Sequence, residues 1–204
     1  MTSDATAAPA RPYHHGDLRA ALLAAAEAEL EARGIEAFSL RSVAKRAGVS
    51  HAAPAHHFGD VNGLLTALAA EGFRRFVANQ AAWEDRAGDD PAARLVESGL
   101  GYIAFAQANP ALFRLMFASD RPDFAEEALC EAADAAFGQL AAACEAVAAR
   151  RGGAALPADV EATWAIVHGL ADLLASGRLK RLAGLPGAER EAELRGIIAR
   201  NIPR

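Results

Sequence analysis

Leu129, Ala133, Phe137, Leu140, Cys144 and Val147 follow one another at intervals of 4, 4, 3, 4 and 3 residues. That period lines one face of an α-helix. It recurs along the chain: Leu18, Leu22, Ala26 and Leu30 repeat every four residues, and Leu65, Leu68, Gly72, Phe76 and Trp83 fall near one face. No segment makes a convincing strand. Composition agrees, because 54 alanines stand against 8 Val, 6 Ile and 4 Thr, an excess of the best helix former over β-branched residues. The fold class is therefore all-α. Caps and breakers divide the chain into about nine helices, over residues 17–33, 40–47, 50–58, 61–86, 91–108, 111–118, 122–150, 158–182 and 189–201. Asp17, Ser39, Ser50 and Asp60 are the expected N-caps, and Gly34 and Gly48 the expected stops.

The chain has no run of roughly 18 charge-free apolar residues, which a membrane-spanning helix needs. The best candidate, residues 98–113, is shorter and carries Gln107, Asn109 and Pro110. The opening MTSDATAAPARP holds Asp4 and no apolar run, unlike a signal peptide, and residues 1–16 are expected to form a flexible arm. Cys130 and Cys144 do not make a disulfide framework. On one helix they stand roughly 21 Å apart, and both are expected to be small buried side chains. These features suit a soluble cytoplasmic protein without a cofactor. The net charge of −5 argues against a general polyanion binder. It permits a local one: residues 39–60 hold three Lys/Arg against one Asp, together with three of the six histidines.

Residues 39–65, SLRSVAKRAGVSHAAPAHHFGDVNGLL, carry most of the functional information. Two short capped helices are joined by the tight turn Ala47-Gly48-Val49. Val43, Ala44, Ala47, Val49 and Phe58 can close a small core with Leu22, Ala26 and Leu30. This is helix-turn-helix spacing, with the second helix free to enter a major groove of DNA.

Residues 17–65 resemble the N-terminal domain of the tetracycline-repressor (TetR) family of bacterial regulators, through Leu22, Ala25, Ala26, Leu30, Gly34, Ser39, Val43, Ala44, Ala47, Gly48, Val49, Ser50, His57, Phe58 and Leu64. Residues 51–54 (HAAP), 109–117 (NPALFRLMF) and 164–169 (WAIVHG) resemble a subset with a WHG-type C-terminal domain. The resemblance implies a DNA-reading domain over 17–60 and a helical effector-binding and dimerisation domain over 61–204. It implies a homodimeric, ligand-responsive regulator, a repressor released from a palindromic double-stranded DNA operator by a small, largely apolar effector.

Arg41, Lys45 and Arg46 are the expected phosphate contacts. Ser50 caps the reading helix and can also donate to a phosphate. His51, Ala52 and Ala53 open that helix, where the alanines can pack on thymine methyls. His56 and His57 lie near the DNA backbone by resemblance, and Tyr13 and His14 precede the first helix as an arm. Pro54, Ala55 and Val61 depart from the leucine, tyrosine and lysine common in the family. Each lost phosphate contact should lower the salt slope by about one unit, which leaves an alternative: a helical ligand-binding or interaction protein of this fold with weakened or lost DNA reading. The histidines lack metal-ligand spacing, and no metal is expected.

Trp83, Tyr102, Phe105, Phe113, Met116, Phe117, Phe137, Trp164 and His168 are the candidate effector contacts. Asp172, one turn beyond His168, can orient its imidazole. That pair resembles a general base, but no nucleophile or nucleotide motif accompanies it, so no enzyme is expected. The helix over 158–182 carries two apolar stripes and must be covered on both sides. The expected homodimer interface is Val167, Leu170, Ala171 and Leu174 with Leu194, Ile197 and Ile198.

Overall fold

The computed structural model describes residues 15–202 and contains, among them, ten helices and no strand. They are α1 (His15–Arg33), α2 (Leu40–Ala47), α3 (Ala53–Phe58), α4 (Val61–Glu84), α5 (Pro91–Ala108), α6 (Pro110–Phe117), α7 (Glu127–Arg150), α8 (Pro157–Ala175), α9 (Lys180–Ala183) and α10 (Gly187–Arg200).

Local chemistry sets most of the boundaries. Ser39 Oγ accepts the Ser42 amide at 3.2 Å, and Asp60 Oδ1 accepts that of Gly63 at 2.8 Å, each satisfying an orphan donor of a first turn. Gly48 ends α2 with φ +69°, a left-handed conformation that costs glycine nothing.

Most boundaries fall within two residues of the sequence expectation, and the informative differences are at α1, α3, α7 and α8. Helix α1 starts at His15, so Asp17 lies inside its first turn and is not the cap. Helix α3 starts at Ala53, and Ser50 supplies its carbonyl to the Ala53 amide at 3.1 Å. Pro54, lacking an N–H, sits in the first turn of α3, where that loss is harmless. Helix α7 starts at Glu127, whose preceding residue Glu126 caps it by accepting the Leu129 amide at 3.1 Å. Helix α8 stops at Ala175 because Gly177 turns left-handed at φ +68°. The amides of Arg178 and Leu179 then fold back onto the Leu173 carbonyl, leaving α9 as a separate tenth helix.

The core is continuous. Leu22, Ala26 and Leu30 of α1 meet Val43 of α2 and Leu64, Leu65 and Leu68 of α4, all at most 2% exposed. Helix α4 continues along α5 and α7, and α5 packs in turn on α8 and α10. Two glycines on α5 permit the close approaches. A Cβ at Gly101 would lie 2.9 Å from Trp83 Cγ, and one at Gly99 would lie 3.0 Å from Val167 Cγ1 and 3.2 Å from Ile198 Cδ1.

That packing corrects the expected interface. Val167, Ala171, Leu174, Leu194 and Ile198 are buried inside their own subunit, because α8 and α10 dock directly on α5. Leu170 and Ile197 are half-buried, and Leu170 shares the outer side of α8 with half-buried Ile166 and exposed Leu173. The cysteine expectation is also corrected in part. Cys144 is buried, whereas Cys130 is exposed, where the charge of Asp134 holds its thiol above the usual range.

Candidate functional site

Helices α2 and α3 present the candidate reading face. Val43 and Ala44 turn inward, while Arg41 and Lys45 are exposed. Pro54 is buried and anchors α3 from below. His51, Ala52, Ala55 and His56 are exposed and Ala53 and His57 half-buried, so the small side chains of the turn and the first helical turn face outward. Arg19 of α1 stacks its guanidinium on Phe58 at 5.2 Å, fastening the end of α3. Ser50 is exposed. Tyr13 and His14 lie outside the described residues.

Arg46 is used differently from its neighbours. Its Nε and Nη2 both donate to Glu29 Oε2 of α1, at 3.0 and 2.8 Å. The Glu29 side chain is 4% exposed, and the bonds from Arg46 hold its carboxyl below the usual range against the opposing effect of burial. Arg46 therefore braces α2 on α1, and the cations left open on α2 are Arg41 and Lys45. The sequence carried a signal for this: Glu29 follows Leu22 and Ala26 at intervals of 4 and 3 residues, a carboxylate on an apolar stripe.

The second feature is a cavity of about 710 Å³ among α4, α5, α6, α7 and α8. Its volume lies within the range of ligand pockets. Tyr102, Met116, Phe117, Phe137, Trp164 and His168 line it, as do Phe73, Phe76 and Phe124. Exposed Phe124, Phe137 and Trp164 rim the mouth. Trp83, Phe105 and Phe113 lie outside the lining: Trp83 packs on Gly101, Phe105 on Phe76 and Phe113 behind Phe117 and His168. The polar groups of the wall include Gln80, whose amide donates to Ser98 Oγ at 3.3 Å, Tyr102, Thr163 and His168, with exposed Glu161 as its charged residue.

The partner of His168 is not Asp172, which is exposed. The imidazole Nδ1 lies 2.7 Å from the Tyr102 hydroxyl, and Trp164 Nε1 donates to the same oxygen at 3.3 Å. Burial pushes the Tyr102 phenol well above its ordinary range, with the Trp164 bond acting against it.

A polar network absent from the sequence reading ties the cavity wall to the reading domain. Arg75 of α4 donates to both carboxylate oxygens of Glu27 on α1, at 2.6 and 3.0 Å, and to Asn109 Oδ1 at 3.1 Å. Glu31 of α1 accepts the Ala111 amide of α6 at 3.3 Å. Helix α6 is thus held at one end by α1 and carries Met116 and Phe117 of the cavity wall at the other. Spacing along the chain gives no sign of these pairs, which join residues 34 to 80 positions apart. Among the described residues, no group of three or more His, Cys, Asp or Glu could hold a metal ion, and no helix is long and apolar enough to cross a membrane.

Residues 22–68 match the family model for bacterial regulatory proteins of the tetR family, and residues 95–197 match the tetracyclin repressor-like C-terminal domain. A protein of unknown function from Rhodococcus sp. RHA1 is 34% identical, with 96% of this chain and all of that one covered and a TM-score of 0.78. A TetR family transcription regulator from Marinobacter aquaeolei VT8 shares the fold at 20% identity, covering 91% and 95% with a TM-score of 0.67. The multidrug binding protein EbrR, solved with imidazole, does so at 23% identity, 91% and 95% coverage and a TM-score of 0.56. No curated protein matches the chain.

Proposed function

The chain belongs to the tetR family of bacterial regulatory proteins and is a DNA-binding transcription regulator, and from that premise we propose that it is a homodimeric repressor released from a palindromic operator by a small, largely apolar effector. Residues 17–60 form its reading domain and residues 61–204 its effector-binding and dimerising body.

Each subunit lays α3 in a major groove, with His51, Ala52 and Ala53 against base edges and Arg41 and Lys45 on phosphates. Ser50 and His56 flank the same face. Two such helices must match grooves one helical turn or a multiple apart, so a small rotation of each reading domain breaks the fit. The observation that carries the ligand response is the double attachment of α6. A molecule that displaces Met116 or Phe117 displaces a short rigid helix whose other end is bonded to Glu31 and, through Asn109 and Arg75, linked to Glu27 of α1. The effector would lie against Tyr102, Met116, Phe117, Phe137, Trp164 and His168. Leu170 and Ile197, with Ile166 and Leu173, are the apolar residues offered to the second subunit.

Selection of bound DNA from a random pool at two salt concentrations tests the reading. Enrichment of one palindromic site supports both dimer and reader. No enrichment at low salt overturns it and favours a ligand-binding protein of the same fold, the alternative supported by the engagement of Arg46 with Glu29 and by Ala55 at a surface position of α3.

A further inference from the structure

The wall of the cavity contains one directional chain of hydrogen bonds. Trp164 Nε1 can only donate, so at 3.3 Å the Tyr102 oxygen accepts from it. Tyr102 is 4% exposed, and a buried hydroxyl proton finds an acceptor. Among the described residues the one acceptor recorded within reach is His168 Nδ1, at 2.7 Å. The Tyr102 proton therefore points to Nδ1, and the ring proton of His168 sits on Nε2. The reverse arrangement, with Nδ1 donating, would leave the phenolic proton without an acceptor. Burial keeps that proton on the phenol by raising its pKa.

Nε2 itself has no partner among the described residues. Among the described residues the sealed side-chain atoms without a hydrogen-bond partner are Glu29 Oε1 and Glu97 Oε2; Nε2 is not one of them, so it opens onto accessible space, and His168 lines the cavity. Phe113 stacks on the imidazole at 5.6 Å while Phe117 stands edge-on at 5.5 Å, fixing the ring and hence the direction of its free N–H. The charge of the wall narrows the ligand further. Glu161, exposed on α8, is the charged residue of the lining, and no Lys or Arg joins it. An anion would enter this aromatic site without a counter-charge, at a large desolvation cost, and an ammonium seated at His168 would set its own donors against the Nε2–H, which has nothing to accept them with.

We propose that the cavity takes an uncharged, largely apolar molecule bearing a carbonyl-type acceptor, which docks on the Nε2–H of His168. The proposal rests on the cavity being the effector site and specifies the ligand class that the site selects.

Four naphthalene probes of one shape test it by calorimetry, with protein titrated into probe: 2-acetylnaphthalene, 2-ethylnaphthalene, 2-naphthoate and 2-naphthylmethylammonium. The wild-type protein should prefer the acetyl to the ethyl compound by about tenfold and bind both ions more weakly than the acetyl compound. His168→Phe, which keeps a ring in the aromatic packing, should reduce the acetyl preference to about onefold. Imidazole ¹⁵N spectra should place the wild-type proton on Nε2, and Tyr102→Phe should shift it towards Nδ1 while the protein stays folded by circular dichroism. Equal affinity for acetyl and ethyl probes, tighter binding of either ion, or a wild-type proton on Nδ1 overturns the ligand assignment and leaves the effector cavity standing. Failure of all four probes to bind overturns both. Acetyl-selective binding that leaves operator affinity unchanged supports the ligand class and removes the release mechanism.

Discussion

Replacing Gly101 and Gly138 by alanine in separate proteins should change stability in opposite directions. Both glycines sit inside helices, on α5 and α7, so each substitution gains about 1 kcal/mol of intrinsic helix propensity. At position 138 the new methyl meets nothing within 4 Å, and the whole gain should appear. At position 101 it meets Trp83 Cγ, Cδ1 and Cβ at 2.9, 3.0 and 3.1 Å. These atoms are the root of the side chain, which cannot swing aside as the end of a flexible chain can, so α4 must retreat from α5. The Asn79 amide, which donates to the Gly101 carbonyl at 2.8 Å, is strained by the same movement. Overpacking of this kind costs about 1–3 kcal/mol, and the rigid obstacle argues for the upper end. The net expectation is a loss of about 2 kcal/mol for Gly101→Ala and a gain of about 1 kcal/mol for Gly138→Ala. Urea unfolding followed by far-ultraviolet circular dichroism, at one protein concentration, measures both. A Gly101→Ala protein as stable as the parent would refute the close α4–α5 approach that shapes the cavity.

Three further outcomes follow from the contacts. Arg41→Ala and Lys45→Ala should each lower the slope of log affinity against log salt by about one unit, whereas Arg46→Met should leave it nearly unchanged because that guanidinium is spent on Glu29; an equal fall for all three would return Arg46 to the DNA. The lowered carboxyl pKa of Glu29 means that its ionised form stabilises the fold above the ordinary value of 4.5 and that this contribution is lost as pH falls through the lower folded value. The stability difference between the parent and Glu29→Gln should therefore shrink below pH 4.5, and a difference independent of pH down to acid unfolding would remove the ion pair from the account. Leu170→Glu should yield a folded monomer by sedimentation with weakened operator binding, and an unchanged dimer would place the interface elsewhere.

The features legible in the sequence were those decided within a few residues. Ser39, Asp60 and Gly48 work as caps and stops through atoms three or four positions away, so their roles could be read along the chain. Arg46 was legible only in part: Glu29 on the apolar stripe of α1 calls for a cation, but Arg41, Lys45 and Arg46 look alike as charges, and which of them meets a carboxylate 17 residues upstream depends on how two helices pack. The cavity shows the same limit. The family resemblance implied a pocket and its aromatic residues supplied candidates for the lining, but Trp83 and Phe105 fill space while Phe73, Phe76 and Phe124 border it, a distinction that depends on how five helices meet. The two stripes of α8 were equivalent by period, and only the docking of α8 on α5 decided which one faces inward.

Glycine inside a helix carries information across that gap, because it sacrifices about 1 kcal/mol relative to alanine and needs a compensating reason. Gly99 and Gly101 find theirs in Val167, Ile198 and Trp83. Gly138 of α7, Gly169 of α8 and Gly196 of α10 find none within the subunit, since a Cβ at any of them would meet open space; Gly138 is exposed, whereas Gly169 and Gly196 are half-buried on the outer faces of α8 and α10. Gly169 immediately precedes Leu170, and Gly196 immediately precedes Ile197. The compensation missing inside one subunit is what a closely packed second copy would supply, which turns an unexplained local cost into support for a dimer formed on the outer faces of these two helices.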